Sequence, residues 1–317
     1  MAAAKKRLLT GLQSSGTLHI GNYFGALKPF LDTYQQYHSM LMVADYHSLT
    51  TVKDAALLRT NIVNVVLDYL GIGINPEEVI IFQQSRVPQH TELAWIFECL
   101  VSVPFLMQAH AYKDKVAKGL EANAGLFNYP MLMATDILLY DTDIVPVGKD
   151  QQQHIEYARE AAVKFNNAFG PTFKEPKELI LKGAGTVPGI DGEKMSKSYG
   201  NTIPLFGTKD EIAKTVMSIV TDSSGERPAN VYAIHKLFKA DAELETLYSA
   251  NKGNYKALKE ALIEEIEAFV APMRERRENY AKDLDSVKKV LEEGSEKARE
   301  MAEKKMTAVR EKVGVTI

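Results

Sequence analysis

The pattern that most constrains the fold of this 317-residue chain is a succession of short apolar runs alternating with amphipathic stretches through its first two-thirds. Arg7–Gly11 reads as a short strand and Gly21–Tyr37 as a helix. Ser39–Asp45 is an apolar run of strand length, followed by an amphipathic helix from about Asp54 to Leu70. Val79–Gln83 is a further buried strand, with a helix from about Thr91 to Val101 behind it. After a mostly helical interruption at about 104–140, Asp143–Gly148 reads as a strand and Gln151–Phe169 as a helix. Apolar strands separated by amphipathic helices predict an α/β fold, a doubly wound parallel sheet covered on both faces. Such sheets bind ligands beyond the carboxyl ends of their strands.

The texture changes after about residue 203. From Lys209 onward the sequence is largely helical, and Arg274–Val313 is a long run of alternating charge with few breakers except Gly294. That run reads as a solvated helical face. The expected division is a sheet domain over 1–203 and a helical domain over 204–317. Inside the interruption, Lys113–Gly125 reads as a lysine-rich loop.

Composition narrows the function classes. No run approaches the roughly 20 apolar residues of a membrane span. Met1–Arg7 carries no apolar signal-peptide core, so the expected setting is the cytoplasm. A single cysteine, Cys99, excludes an intrachain disulfide and a cysteine-rich metal site. It sits in the apolar stretch Trp95–Val101 and reads as a small core residue. A net charge of −3 argues against a dedicated nucleic-acid binder, so any RNA contact would need its lysines and arginines gathered on one face.

Two short motifs carry the chemistry. Gly16-Thr17-Leu18-His19-Ile20-Gly21-Asn22 follows the first strand, where free N–H groups and the helix dipole favour phosphate. Lys194-Met195-Ser196-Lys197-Ser198 follows Gly189-Ile190-Asp191-Gly192, a segment with freedom to hinge. Two lysines and two hydroxyls on a mobile loop, here 192–200, can close over a polyphosphate and neutralise charge as it develops. Alone, a histidine near a turn is usually structural and a Lys-Ser loop is usually a surface turn. Together they point to adenylation with ATP. Asp136, inside the apolar helical stretch Met133–Leu139, is a costly buried carboxylate that needs a partner, structural or functional.

The two motifs resemble those of class I aminoacyl-tRNA synthetases, and Asn22 is a variant common in the tryptophan and tyrosine members. Tyr129–Tyr140 and Asp143–Glu156 resemble the bacterial tryptophanyl-tRNA synthetases, and the likeness extends over most of the chain. The resemblance implies a Rossmann-like catalytic domain, a helical anticodon-binding domain over 204–317, and a homodimer whose subunits share one tRNA. It implies ATP, L-tryptophan and tRNA(Trp) as substrates, with Mg2+ accompanying ATP. It assigns catalysis to His19, Asn22, Lys194 and Lys197. ATP contacts fall to Gln13, Ser14, Ser15, Gly21, Lys115, Val187, Met195, Ser196 and Ser198; Ser14 stands where the family commonly has proline, and Lys113 competes with Lys115. Tryptophan contacts fall to Asp136 as acceptor of the indole N–H, with Leu9, Tyr46, Tyr129, Met133, Val145, Val147, Gly148, Lys149, Asp150 and Gln151 around the substrate. No side-chain metal cage is expected. A tyrosine–tRNA ligase, a small nucleotidyltransferase of the same superfamily and a catalytically silent RNA-binding or regulatory relative are the alternatives.

Overall fold

The computed structural model describes residues 5–117, 119, 121–147, 152–180, 187–221 and 227–316. Among the described residues, five strands form one parallel sheet: β1 (Arg7–Gln13), β2 (His38–Ala44), β3 (Val79–Gln83), β4 (Ile144–Val147) and β5 (Lys177–Ile180), in the spatial order β3-β2-β1-β4-β5. The chain winds outward from β1 to β3 and then returns to the opposite side of β1, where Leu8 pairs with Ile144. That reversal opens a crevice at the carboxyl ends of β1 and β4. The doubly wound α/β architecture is the one the sequence implied. β5 is an addition: a four-residue edge strand containing Lys177 and Glu178 has no buried run to announce it.

Side-chain alternation divides the core between the two faces of the sheet. Leu8, Leu41, Val43 and Ile81 pack with Ile20, Phe30, Val66 and Leu70 on one side. Leu9, Met40, Met42, Phe82 and Val145 pack with Phe97, Met131, Ala134 and Ile137 on the other. The covering helices start where their caps dictate. Asp54 accepts from the N–H groups of Ala56 and Leu57 to open the helix Ala55–Gly71, and Asn123 accepts from Leu126 N–H to open Ala124–Leu138.

Three sequence readings change. The segment containing Lys113 is not a loop but part of the helix His110–Ala117. Cys99 is exposed rather than buried, because the helix Gln89–Glu98 turns Leu93 and Phe97 into the core and leaves Trp95, one turn before Cys99, 67% exposed. The charged C-terminal run is not only a solvated face. Its helix Leu284–Val313 buries Val287, Leu291, Gly294, Ser295, Ala298, Ala302, Met306 and Val309, a three-and-four spacing that lays one stripe on the sheet. Ser295 Oγ accepts the Gln83 N–H of edge strand β3 (3.1 Å), and Arg310 grips Glu92 through two 2.7 Å bonds. The last helix thus closes the sheet edge left by β3.

Candidate active site

The crevice beyond β1 is built by the first motif. β1 ends at Gln13, and after an exposed turn His19 takes an extended conformation (φ −122°, ψ 165°) before the helical turn Ile20–Asn22. The His19 N–H donates to Asn22 Oδ1 (3.1 Å), so Asn22 secures the entry of the helix. A Cβ on Gly21 would lie 2.8 Å from His19 Nδ1 and 3.2 Å from Met195 Cβ. Glycine is therefore required for the imidazole and the second motif to close on this turn. Burial first, and then the charge of Lys197, push the His19 pKa down to about 4. At pH 7 the ring is neutral and can donate one hydrogen bond without adding charge. Its Nδ1 is buried with no hydrogen-bond partner among the described residues, a costly state that favours a ligand at this place.

The chain just after the second motif pairs with the first. Ile20 N–H donates to Ile203 O and Leu205 N–H to Leu18 O, both at 3.0 Å. Upstream, Met195 is buried, and its N–H donates to Val187 O (2.9 Å). The organiser is Asn201. Its Oδ1 accepts Ser196 N–H (2.8 Å), its Nδ2 donates to Asp191 Oδ1 (2.8 Å) and Lys194 O (3.1 Å), and its own carbonyl accepts Ile190 N–H (3.0 Å). Lys194, Lys197 and Ser198 stand at the surface of the loop thus formed, with Ser196 Oγ 2.9 Å from Ser198 Oγ. Crowding by the surrounding chain holds the Lys197 ammonium below the usual lysine pKa, opposed by the Asp68 carboxylate. Of the other nucleotide candidates, Gln13 and Ser15 are exposed beside Gly16, whereas Ser14 is fully buried with its hydroxyl 3.0 Å from Ser48 Oγ. Lys115 lies on the helix His110–Ala117, but its side chain is outside the described residues.

A second cluster lies under the carboxyl ends of β2 and β3. Asp136, almost wholly buried, accepts from Gln84 Nε2 at Oδ1 (2.7 Å) and meets His47 Nε2 at Oδ2 (2.8 Å). His90 Nδ1 lies 2.6 Å from Oδ1. Burial raises the pKa of this carboxyl, but the bonds from His47 and His90 outweigh it and bring the value down to about 2. Asp136 is therefore ionised at neutral pH. Tyr129 meets the His47 ring edge-on and bonds His154 Nε2 (3.0 Å), and the Tyr46 N–H donates to Gln84 Oε1 (3.1 Å). Leu9 and Val145 belong to the core below, and Met133 is half-buried on the Asp136 helix. The Val147 side chain, Gly148, Lys149, Asp150 and Gln151 lie outside the described residues.

A buried anion beside a nucleotide-type crevice closed by a lysine loop is the layout expected of an amino-acid-activating enzyme. The family model for class I tRNA synthetases (W and Y) matches residues 1–306. The chain belongs to this family. This synthetase is 48% identical to the tryptophan–tRNA ligase of Fusobacterium nucleatum over 98% of each chain, and 44% identical to that of Rhodopirellula baltica over 98% of this chain and 99% of the other. Its fold superposes on the crystal structure of tryptophanyl-tRNA synthetase from Campylobacter jejuni complexed with ADP and tryptophan, with a TM-score of 0.90 and 41% identity, covering 97% of this chain and 99% of that one.

Four residues of the synthetase site escaped the sequence reading: Asn201, His47, Gln84 and His90. Asn201 follows the loop motif directly, and a buried polar residue closing a glycine-rich turn is the only local signal it could have offered. The other three come from separate segments far from Asp136, and no short-range pattern joins them.

Proposed function

We propose that this chain is a tryptophan–tRNA ligase. The tryptophan carboxylate attacks the α-phosphorus of ATP, the bond to pyrophosphate breaks, and tryptophanyl-adenylate forms. The 2′-hydroxyl of the terminal ribose of tRNA(Trp) then takes the acyl group and releases AMP. The observation that carries this reading is the backbone pairing at Ile20–Ile203 and Leu18–Leu205, which sets the His19 turn and the lysine loop on one crevice. His19 and the Asn22-braced helix start receive the phosphates, and Lys197, aided by Lys194, meets the pyrophosphate as it leaves. The loop over 192–200 closes on ATP about its flanking glycines, and the helical region over 204–317 reads the anticodon. Tryptophan-dependent exchange of pyrophosphate into ATP, run with all twenty amino acids, tests the assignment; exchange dependent on tyrosine would overturn it.

Asp136 selects the indole ring by accepting its N–H, with Met133, Val145 and Leu9 as walls of the aromatic pocket, Tyr129 among the tryptophan contacts and Tyr46 toward the substrate's ammonium group. A hydrogen bond to a charged group is worth about 1.5–3 kcal/mol. Asp136→Ala is therefore expected to lower kcat/KM for tryptophan by roughly 10- to 100-fold while leaving the KM for ATP near wild type. Unchanged tryptophan activation in a folded variant would make Asp136 purely structural.

Magnesium enters with ATP. Among the described residues no group of three or more His, Cys, Asp or Glu side chains is gathered for a metal, so phosphate oxygens and water would hold the ion. There it shields the polyphosphate charge. No helix among the described residues is long and apolar enough to cross a membrane, and we place the enzyme in the cytoplasm. The homodimer reading is supported by the exposure of Trp95, Cys99, Val103 and Met107, which come from the helix Gln89–Glu98 and from the turn and short helix Val103–Leu106 after it. Trp95→Asp should convert the dimer to monomers in sedimentation velocity, and an undisturbed dimer would place the interface elsewhere.

A further inference from the structure

We infer that His47 and His90, with Gln84, are positioning residues for substrate selection: they hold the Asp136 carboxylate so that Oδ2 receives the indole N–H. This rests on Asp136 being the indole acceptor. A carboxylate that needed only neutralising would be served by one cation. Asp136 instead meets three polar groups, delivered by three different parts of the chain. His47 follows β2, Gln84 follows β3, and His90 lies on the helix Gln89–Glu98.

Each of the three is itself fixed from behind. The amide of Gln84 cannot turn over, because its Oε1 accepts the Tyr46 N–H (3.1 Å) while its Nε2 faces Asp136. His90 Nε2 lies 2.8 Å from the Tyr140 hydroxyl. Burial, and next the Asp136 charge, push the Tyr140 phenol well above its usual pKa. The ionised Asp136 can only accept, so the His90 tautomer with its proton on Nδ1 fits this place, and its Nε2 then accepts from the Tyr140 hydroxyl. His90 Nδ1 lies 2.6 Å from Asp136 Oδ1 in an ion-pair contact whose angle does not make a hydrogen bond. His47 is backed by the edge of Tyr129, with ring centroids 6.3 Å apart.

The occupancy of the two oxygens is unequal. An ionised carboxylate offers about four lone-pair directions. Among the described residues, Gln84 and His90 share Oδ1, whereas His47 alone meets Oδ2. Oδ2 is thus the oxygen with capacity for a substrate donor, and its direction is set before the substrate arrives. A site prepared in this way rejects an analogue that lacks the donor, because the carboxylate then loses a partner it was placed to receive.

The test uses the ratio of kcat/KM for tryptophan to that for β-(benzothiophen-3-yl)-L-alanine, which keeps the bicyclic shape but has no ring N–H. Nitrogen placement can be exchanged with little change of bulk: the amide of glutamine reaches the place of a histidine Nε2, and that of asparagine the place of Nδ1. His47→Gln and His90→Asn should retain the ratio. His47→Asn and His90→Gln should lower it about tenfold or more, as expected for a bond to a charged group, with the KM for ATP unchanged in all four. The inference is overturned if all four variants keep the wild-type ratio while Asp136→Ala lowers it, or if both members of a pair lose it equally. If Asp136→Ala itself leaves the ratio unchanged, the acceptor reading beneath the inference fails instead.

Discussion

Replacing Lys197 by alanine is expected to slow tryptophanyl-adenylate formation by roughly 10²–10³-fold, the usual loss when one preorganised charge-stabilising group is removed. ATP binding in the ground state should weaken far less. Negative charge accumulates on the departing pyrophosphate as the α-phosphorus bond breaks, so a cation aimed there favours the transition state over the bound substrate. The structure gives this lysine a prepared place. Its loop is held by Asn201 from within and by the Ile203 and Leu205 backbone against the His19 turn. Its ammonium influences the His19 imidazole, which stays neutral and brings no competing charge. Pre-steady-state measurement of adenylate formation, with ATP affinity from an independent titration, separates the two effects. Equal losses in both would make Lys197 a simple binding residue, and an undiminished rate would remove it from the mechanism.

The parts of the site that were legible in the sequence are those in which chemistry and backbone geometry share one short segment. His19, Gly21 and Asn22 lie within one helical turn, and Lys194 to Ser198 within one loop, so residue type and spacing suffice to name them. The doubly wound sheet was legible for a similar reason, since β2 and β3 are uninterrupted apolar runs. β5 was not, because an edge strand of four residues needs no buried run. Cys99 misled because an apolar stretch in a helix does not say which side faces out; Phe97 turned inward and took Cys99 and Trp95 outward. The environment of Asp136 was the least legible. Its need for partners followed from its burial, but the partners are set by the tertiary arrangement of β2, β3 and the helix Gln89–Glu98. Long-range polar pairings of this kind leave no periodic trace in a chain.

The charged C-terminal run shows how a local reading can be right about one face of a helix and silent about the other, and it leads to the largest expected effect on stability. Gly294→Ala should destabilise the fold by about 3 kcal/mol, at the upper end of what overpacking a tight contact costs. A Cβ at this position would lie 1.8 Å from the Ile81 carbonyl oxygen and 2.7 Å from its carbon. Neither atom can retreat, because Ile81 is part of β3 and pairs with Leu41 of β2. The helix Leu284–Val313 would have to lift instead. Lifting breaks the Gln83–Ser295 hydrogen bond and reopens the edge of β3. It also loosens Leu291 and Ala298, which lie about one turn to either side and belong to the cores on the two faces of the sheet. Glycine is a poor helix former by about 1 kcal/mol relative to alanine, so on intrinsic propensity the substitution ought to stabilise. The two arguments differ in sign, and the close backbone approach is the larger of them. Thermal unfolding followed by calorimetry should show the melting temperature falling by roughly 5 °C or more. An alanine variant as stable as wild type, or more so, would show that the helix does not rest on the backbone of β3.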